Sequence, residues 1–154
     1  MGVLAPDQTA AKEKNPVSAK DIYARAAEAF NKHDARTFAA LYAPDAVVYD
    51  PTYPQPLKGR DAILQDFTDF VRAFPDAQFE LLAVLEDGRE AAGEFRVSGN
   101  HNGPLALPTG EVPATGKPLS FGGGAFSRFN DQGEIVEEHR YFDVAGQLSQ
   151  LGLV

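Results

Sequence analysis

The feature that most constrains this fold is a change of hydrophobic period near Asp76. Before it, apolar residues recur at helical spacing; after it, they alternate. Ser18 and Asp21 make an N-cap signature ahead of Ile22, Ala26 and Phe30, with Tyr23 and Ala27 beside them. Asp34 caps a second, short helix whose apolar side is Phe38, Leu41 and Tyr42, and Pro44 is expected to end it. "AVVYD" reads as a short strand, and "PTYPQPLKG" as a loop. Ile63, Phe67, Phe70, Val71 and Phe74 trace an amphipathic helix that stops at Pro75.

The rest is strand-like. "QFELLAVLED" runs to an Asp87-Gly88 turn. In "EAAGEFRVSGNH", Phe95 and Val97 share one face with His101, and Glu94, Arg96 and Ser98 take the other. A Pro/Gly-rich loop is expected over 102–116, then the strand "KPLSFGGGAFSRF", a turn at "NDQG", and the strand "EIVEEHRYFD". The triple glycine marks either a bulge or a place where a neighbour needs room. Helices first and an antiparallel meander after them make an α+β domain, with helices covering one face of a curved sheet and a cavity between the layers.

Composition narrows the function. A net charge of -8 repels phosphate backbones, so nucleic acid is not an expected partner. No Lys/Arg cluster suggests a membrane surface, and no segment is apolar and long enough to span a bilayer. With no cysteine, thiolate nucleophiles, disulfides and Cys-ligated zinc are excluded. The opening "MGVLAPDQTAAKEKNPVS" lacks the basic-then-apolar order of a secretory signal. We expect a cytoplasmic protein with a loose tail over 1–16 and one domain over 17–154.

No GxSxG, GxGxxG, P-loop or HExxH occurs, and three scattered histidines do not have metal-site spacing. Chemistry would therefore fall to His, Asp, Tyr or Glu acting as acids and bases. His139, Tyr141 and Asp143 alternate in the last strand and so share a face, which is either wet or lines a pocket. Asp143 has two readings: a buried general base, or the N-cap of a short helix in "VAGQLSQLG". His101 has two as well: an inward proton carrier, or a strand-end histidine bonded to backbone. Asp50 opens the proline loop, whose prolines form a pocket lip with Tyr49 and Tyr53, or Asp50 only turns the chain before Pro51; Asp50 and Tyr53 are taken as ligand contacts. Phe121, in "SFGGG", is taken as a further ligand contact.

"GRDAI", "FVRAFPDAQFE", "VSGNHNG", "PATGKPLSF", "GEIVEEHRYFD" and "QLSQLGL", in that order, resemble the SnoaL-like polyketide cyclases of the NTF2-like superfamily. The resemblance covers about Ser18 to the end. It implies a cone-shaped barrel, with N-terminal helices packed in the concave face of a strongly bent, mainly antiparallel sheet. It also implies a deep apolar pocket, a homodimer, and no metal or organic cofactor. In these cyclases an aspartate near the end of the last strand is the acid/base, a position Asp143 matches in "YFD". The family's strand-end histidine matches His101 in "GNHNG". The implied reaction is proton abstraction between carbonyls, followed by intramolecular aldol closure. Many relatives carry tryptophan where this chain has His139, which makes that wall polar here. The same scaffold also serves isomerases, dehydratases, epoxide hydrolases and non-catalytic binding modules.

Overall fold

The computed structural model describes residues 18–154. The tail expected over 1–16 lies outside the described residues. Helix α1 (Ala19–Asn31) begins at a capping box: the Ser18 hydroxyl accepts from the Asp21 N–H, and the Asp21 carboxylate accepts from the Ser18 N–H. Helix α2 (Ala35–Ala40) is capped by Asp34, as its sequence position implies. Then come β1 (Tyr42–Tyr49), β2 (Leu57–Lys58) and α3 (Gly59–Ala73). The remaining order is β3 (Gln78–Asp87), β4 (Glu90–Asn100), β5 (Leu105–Leu107), β6 (Gly110–Val112), β7 (Pro118–Phe129), β8 (Ile135–Phe142) and α4 (Val144–Gln150).

Three local expectations change; the first is that "PTYPQPLKG", read as a loop, ends in the short strand β2 and the first residue of α3. Tyr42 belongs to β1 and not to the second helix, which ends at Ala40, before Pro44 could stop it; Pro44 lies inside β1. Tyr42 pairs with Ile135, and the register shifts between Tyr42 and Val47, so Pro44, which has no N–H to give the ladder, sits in the irregular stretch. The expected loop over 102–116 contains the hairpin β5–β6.

Six strands form the main sheet in the order β2-β1-β8-β7-β4-β3, with β1 and β8 parallel and every other pair antiparallel. The helices cover its concave face, giving the α+β, NTF2-like cone. One apolar cluster gathers Ile22, Tyr23, Val48, Ile63, Phe129 and Ile135; the other gathers Phe30, Phe67, Phe74, Val97, Leu119 and Leu151.

The triple glycine makes room, not a bulge. Gly122, Gly123 and Gly124 pair in unbroken register with Arg96, Phe95 and Glu94. A Cβ on Gly123 would fall 2.7 Å from the Tyr141 carbonyl oxygen and 2.8 Å from the Phe95 ring. The ring therefore lies where a side chain would otherwise stand.

Strand β8 holds the irregularity that decides the site. Phe129 pairs with Ile135, but Arg128 pairs with Glu137, so one extra residue is accommodated beside Val136. Side chains alternate along a strand, and an extra residue inverts their parity. Ile135 points into the core, and beyond the bulge it is Glu138, Arg140 and Phe142 that point inward.

Candidate active site

A cavity of about 200 Å³ lies between the helices and the sheet. Its walls are aromatic: Phe30, Phe38, Phe67 and Phe70 come from the helices, Phe95 and Phe121 from the sheet. Phe38 packs on Phe67 at 4.8 Å and on Tyr42 at 5.7 Å between ring centroids. Helix α4 contributes Val144, Gln147 and Leu148 to the lining.

One end of the cavity is polar and centred on Arg140. Its Nε donates to Glu138 Oε2 at 2.8 Å. Its Nη1 donates to Asp50 Oδ2 at 3.1 Å and to Asp66 Oδ2 at 3.0 Å. Its Nη2 donates to the Tyr42 hydroxyl at 3.3 Å. Tyr42 in turn donates to Glu138 Oε2 at 2.8 Å, and Tyr53 donates to Asp66 Oδ1 at 2.6 Å. Asp50 Oδ1 accepts from the Thr52 N–H at 2.8 Å. The network continues from Glu138 to the Ser127 hydroxyl and on to the Tyr23 hydroxyl, 2.7 Å beyond.

Three elements and the segment after β1 build this end. Glu138 and Arg140 stand on the inward face of β8, and Tyr42 opens β1. Asp50 follows β1 and retains its inward parity with Val48. Asp66 stands on α3 at positions i+3 from Ile63 and i−4 from Phe70, on the helix's apolar face.

Three carboxylates face a single guanidinium here. Burial works against the charge on Arg140, but Tyr42, Glu138, Asp66 and Asp50 together outweigh it and raise its pKa. Burial also raises the pKa of Asp66; the charge of Arg140 opposes the rise and that of Asp50 adds to it. Burial and the neighbouring Asp66 push Tyr53 up, while burial and Glu138 push Tyr42 up, so both phenols stay protonated as donors. Burial pushes Tyr23 up to about 12, despite its bond to Ser127. The site thus sets a carboxyl whose pKa is raised beside two further carboxyl groups on the same guanidinium.

The residues singled out in the sequence divide. Asp50, Tyr53 and Phe121 line the cavity. Asp143, Tyr141 and His139 do share a face, but it is the outer one, which corrects the expectation that this face lines the pocket. Asp143 is exposed and accepts from the Gly146 N–H at 2.9 Å as the N-cap of α4. His139 stacks on Tyr49 at 4.5 Å and bonds Glu137 at 2.7 Å, and Tyr141 is 57% exposed.

His101 points inward as its parity implies, but it is fully buried outside the cavity lining. Its ring packs on Phe74 at 5.3 Å, and its Nδ1 accepts from the Thr115 N–H at 3.2 Å. Burial lowers its pKa, with the Gly103 backbone acting the other way. Asp143 and His101 therefore do not converge on one cavity.

The sequence reading missed Asp66, Glu138 and Arg140. Asp66 had a usable signal: a carboxylate on the apolar face of a helix. The other two were hidden by the bulge.

An α+β cone with helices over its concave face is the NTF2-like, ketosteroid isomerase-like fold. Within it, the chain belongs to the SnoaL-like family, whose SnoaL-like domain profile matches residues 23–138. IdmH from Streptomyces antibioticus, named as a candidate polyketide cyclase, is similar at 30% identity and a TM-score of 0.69, covering 86% of this chain and 97% of that one. AclR from Streptomyces galilaeus, named as a candidate hydroxylase, is similar at 24% identity and a TM-score of 0.74, covering 88% of this chain and 81% of that one. A candidate polyketide cyclase from Xanthomonas campestris pv. campestris reaches 23% identity and a TM-score of 0.73, covering 86% and 96%. The last two bear on fold alone. No curated protein sequence matches the chain. Among the described residues, no helix is long and apolar enough to cross a membrane.

Proposed function

We propose that the chain is an acid/base enzyme acting on a small, largely apolar carbonyl compound, with Asp66 and Asp50 as the proton carriers. The observation that carries this reading is Asp66: a carboxyl with a raised pKa, held by Tyr53 and Arg140 at the polar end of an aromatic cavity. Asp66, protonated, donates to the carbonyl oxygen. Asp50, whose two oxygens accept from the Thr52 N–H and Arg140, takes the proton from the adjacent carbon. The C–H pair becomes the C=C bond, the C=O π pair stays on oxygen, and an enol forms. Returning a proton to a different carbon isomerises the substrate; attack of the enol carbon on a second carbonyl closes a ring. The polyketide cyclase name of IdmH fits the second outcome.

The test is deuterium exchange at the central carbon of 1-phenylbutane-1,3-dione in D2O, followed by NMR. Exchange above the buffer rate that is lost in both Asp66→Asn and Asp50→Asn supports the reading. Exchange that persists in Asp66→Asn refutes it.

Two carboxylates on one guanidinium nitrogen also suit a held water, so addition of water to an epoxide is a second reading. Incorporation of 18O from labelled water into a diol made from styrene oxide would select it.

The expected homodimer is also a proposal. The outer sheet face carries Phe126 and Tyr141, 60% and 57% exposed, beside Gly122 and Gly124, which present no side chain. Under a twofold axis the rings of one copy can fill the hollow of the other. Sedimentation should give a dimer that Phe126→Asp dissociates, and a monomeric wild type would refute the assignment.

A further inference from the structure

The hydrogen-bond balance of the polar end says what kind of group it can receive. Arg140 has five N–H donors, and four are spent on Glu138, Asp50, Asp66 and Tyr42. The three phenols are committed as well: Tyr42 to Glu138, Tyr53 to Asp66 and Tyr23 to Ser127. The acceptors are not exhausted. Each carboxylate has about four lone-pair sites. Asp50 and Asp66 use two apiece, and Glu138 uses three. Apart from the one proton that Asp66 carries to the substrate carbonyl, the end is short of donors and rich in acceptors.

Charge points the same way. Even with Asp66 carrying its proton, Asp50, Asp69 and Glu138 stand against Arg140 alone, and the lining holds no lysine or histidine. Arg140 would be the natural receptor for a ligand carboxylate or phosphate, but its own carboxylates occupy it. An incoming anion would have to displace them from a largely buried ion-pair network. The adjoining wall, where Phe38 meets Tyr42 and Phe67, is aromatic, a surface that suits a cation better than an anion.

We propose that the substrate of this cavity is an apolar, ring-bearing compound whose polar end carries a protonated amine beside the reacting carbonyl, and that carboxylic acids and phosphate esters are rejected. This rests on the cavity being the substrate site. An ammonium brings three donors and one positive charge, matching both surpluses.

The test is a ligand-observed NMR titration of the whole protein at pH 7.5 with 2-phenylethylamine, 2-phenylethanol and phenylacetate, which are close in size and differ in charge. The amine is expected to bind at least tenfold more tightly than the alcohol, and phenylacetate not to bind. The preference should shrink in Asp50→Asn. In the wild type it should also weaken on acidification as the carboxyls take up protons, a readout that needs no variant to fold. Equal binding of amine and alcohol, binding of phenylacetate, or binding of none of the three overturns the inference. Its failure is separable from that of the enzyme reading. Exchange of the neutral diketone that depends on Asp66, without an amine preference, sinks this inference alone; absence of that exchange sinks the enzyme reading.

Discussion

Replacing Arg140 by methionine keeps most of the side chain's length and removes its charge. The Arg140 side chain is 13% exposed, and its partners Asp50 and Glu138 are 5% and 6% exposed. Removing one partner of a buried ion pair costs about 3–5 kcal/mol, because the remaining charge is left uncompensated. That is a large part of the ~5–15 kcal/mol stability of a typical domain. The loss should also depend on pH. Without the guanidinium, the folded state holds the carboxyls' protons more tightly than the unfolded state does, so their folded pKa values rise. A raised carboxyl pKa makes stability fall as pH rises from the ordinary carboxylate range through the folded value. Each extra proton held by the folded state is worth about 1.4 kcal/mol per pH unit. Urea unfolding at pH 5.5 and pH 8 measures this directly. We expect a deficit of about 3–5 kcal/mol at pH 8 that shrinks by at least about 2 kcal/mol at pH 5.5. Arg140→Lys should flatten the pH dependence but recover only part of the stability, because one ammonium cannot reach all the partners of a planar fork. A loss under about 1 kcal/mol, or an equal loss at both pH values, would mean that Arg140 is not what neutralises the site.

Other perturbations test neighbouring parts of the account. Asp143→Ala should cost about 1 kcal/mol as a lost N-cap, lowering Tm by about 2–4 °C, with diketone exchange unchanged; lost exchange in a folded variant would return Asp143 to the chemistry. Gly123→Ala should destabilise by about 1–3 kcal/mol in a chemical melt, because its Cβ meets a carbonyl oxygen and the Phe95 ring, whereas Gly122→Ala should stay within about 0.5 kcal/mol. The folded-state pKa of His101 lies below its ordinary 6.5. The unfolded chain therefore binds its proton first, and stability should fall as pH drops from 6.5 toward the folded value. His101→Asn should remove that component, and an unchanged pH profile would refute the assignment.

Much of the frame was legible because it depends on local pattern. The Ser18–Asp21 capping box, the Asp34 cap and the helical run from Ile63 to Phe74 follow from residue spacing and appear where spacing puts them. The inward parity of Phe95, Val97 and His101 survived because β4 pairs with β7 without interruption. Parity along β8 did not, and a conflict in its sequence marked the place. Ile135 and Phe142 are both apolar, yet they have opposite parity, so no single unbroken strand can point both toward the core.

The sequence by itself determined the order of the main elements, the acidic balance and the family. Tertiary structure decided which face of β8 is the inside, and with it which residues meet. The bulge beside Val136 arises from pairing β8 with β7 and β1 at once, a constraint between segments that is invisible within any one of them. The contacts of Arg140 with Asp50 and Asp66 span 90 and 74 positions of chain. Whether such distant charges share one guanidinium or face solvent depends on how the layers close, and that closure turned a helix-face aspartate and an inverted strand into the polar end of a cavity.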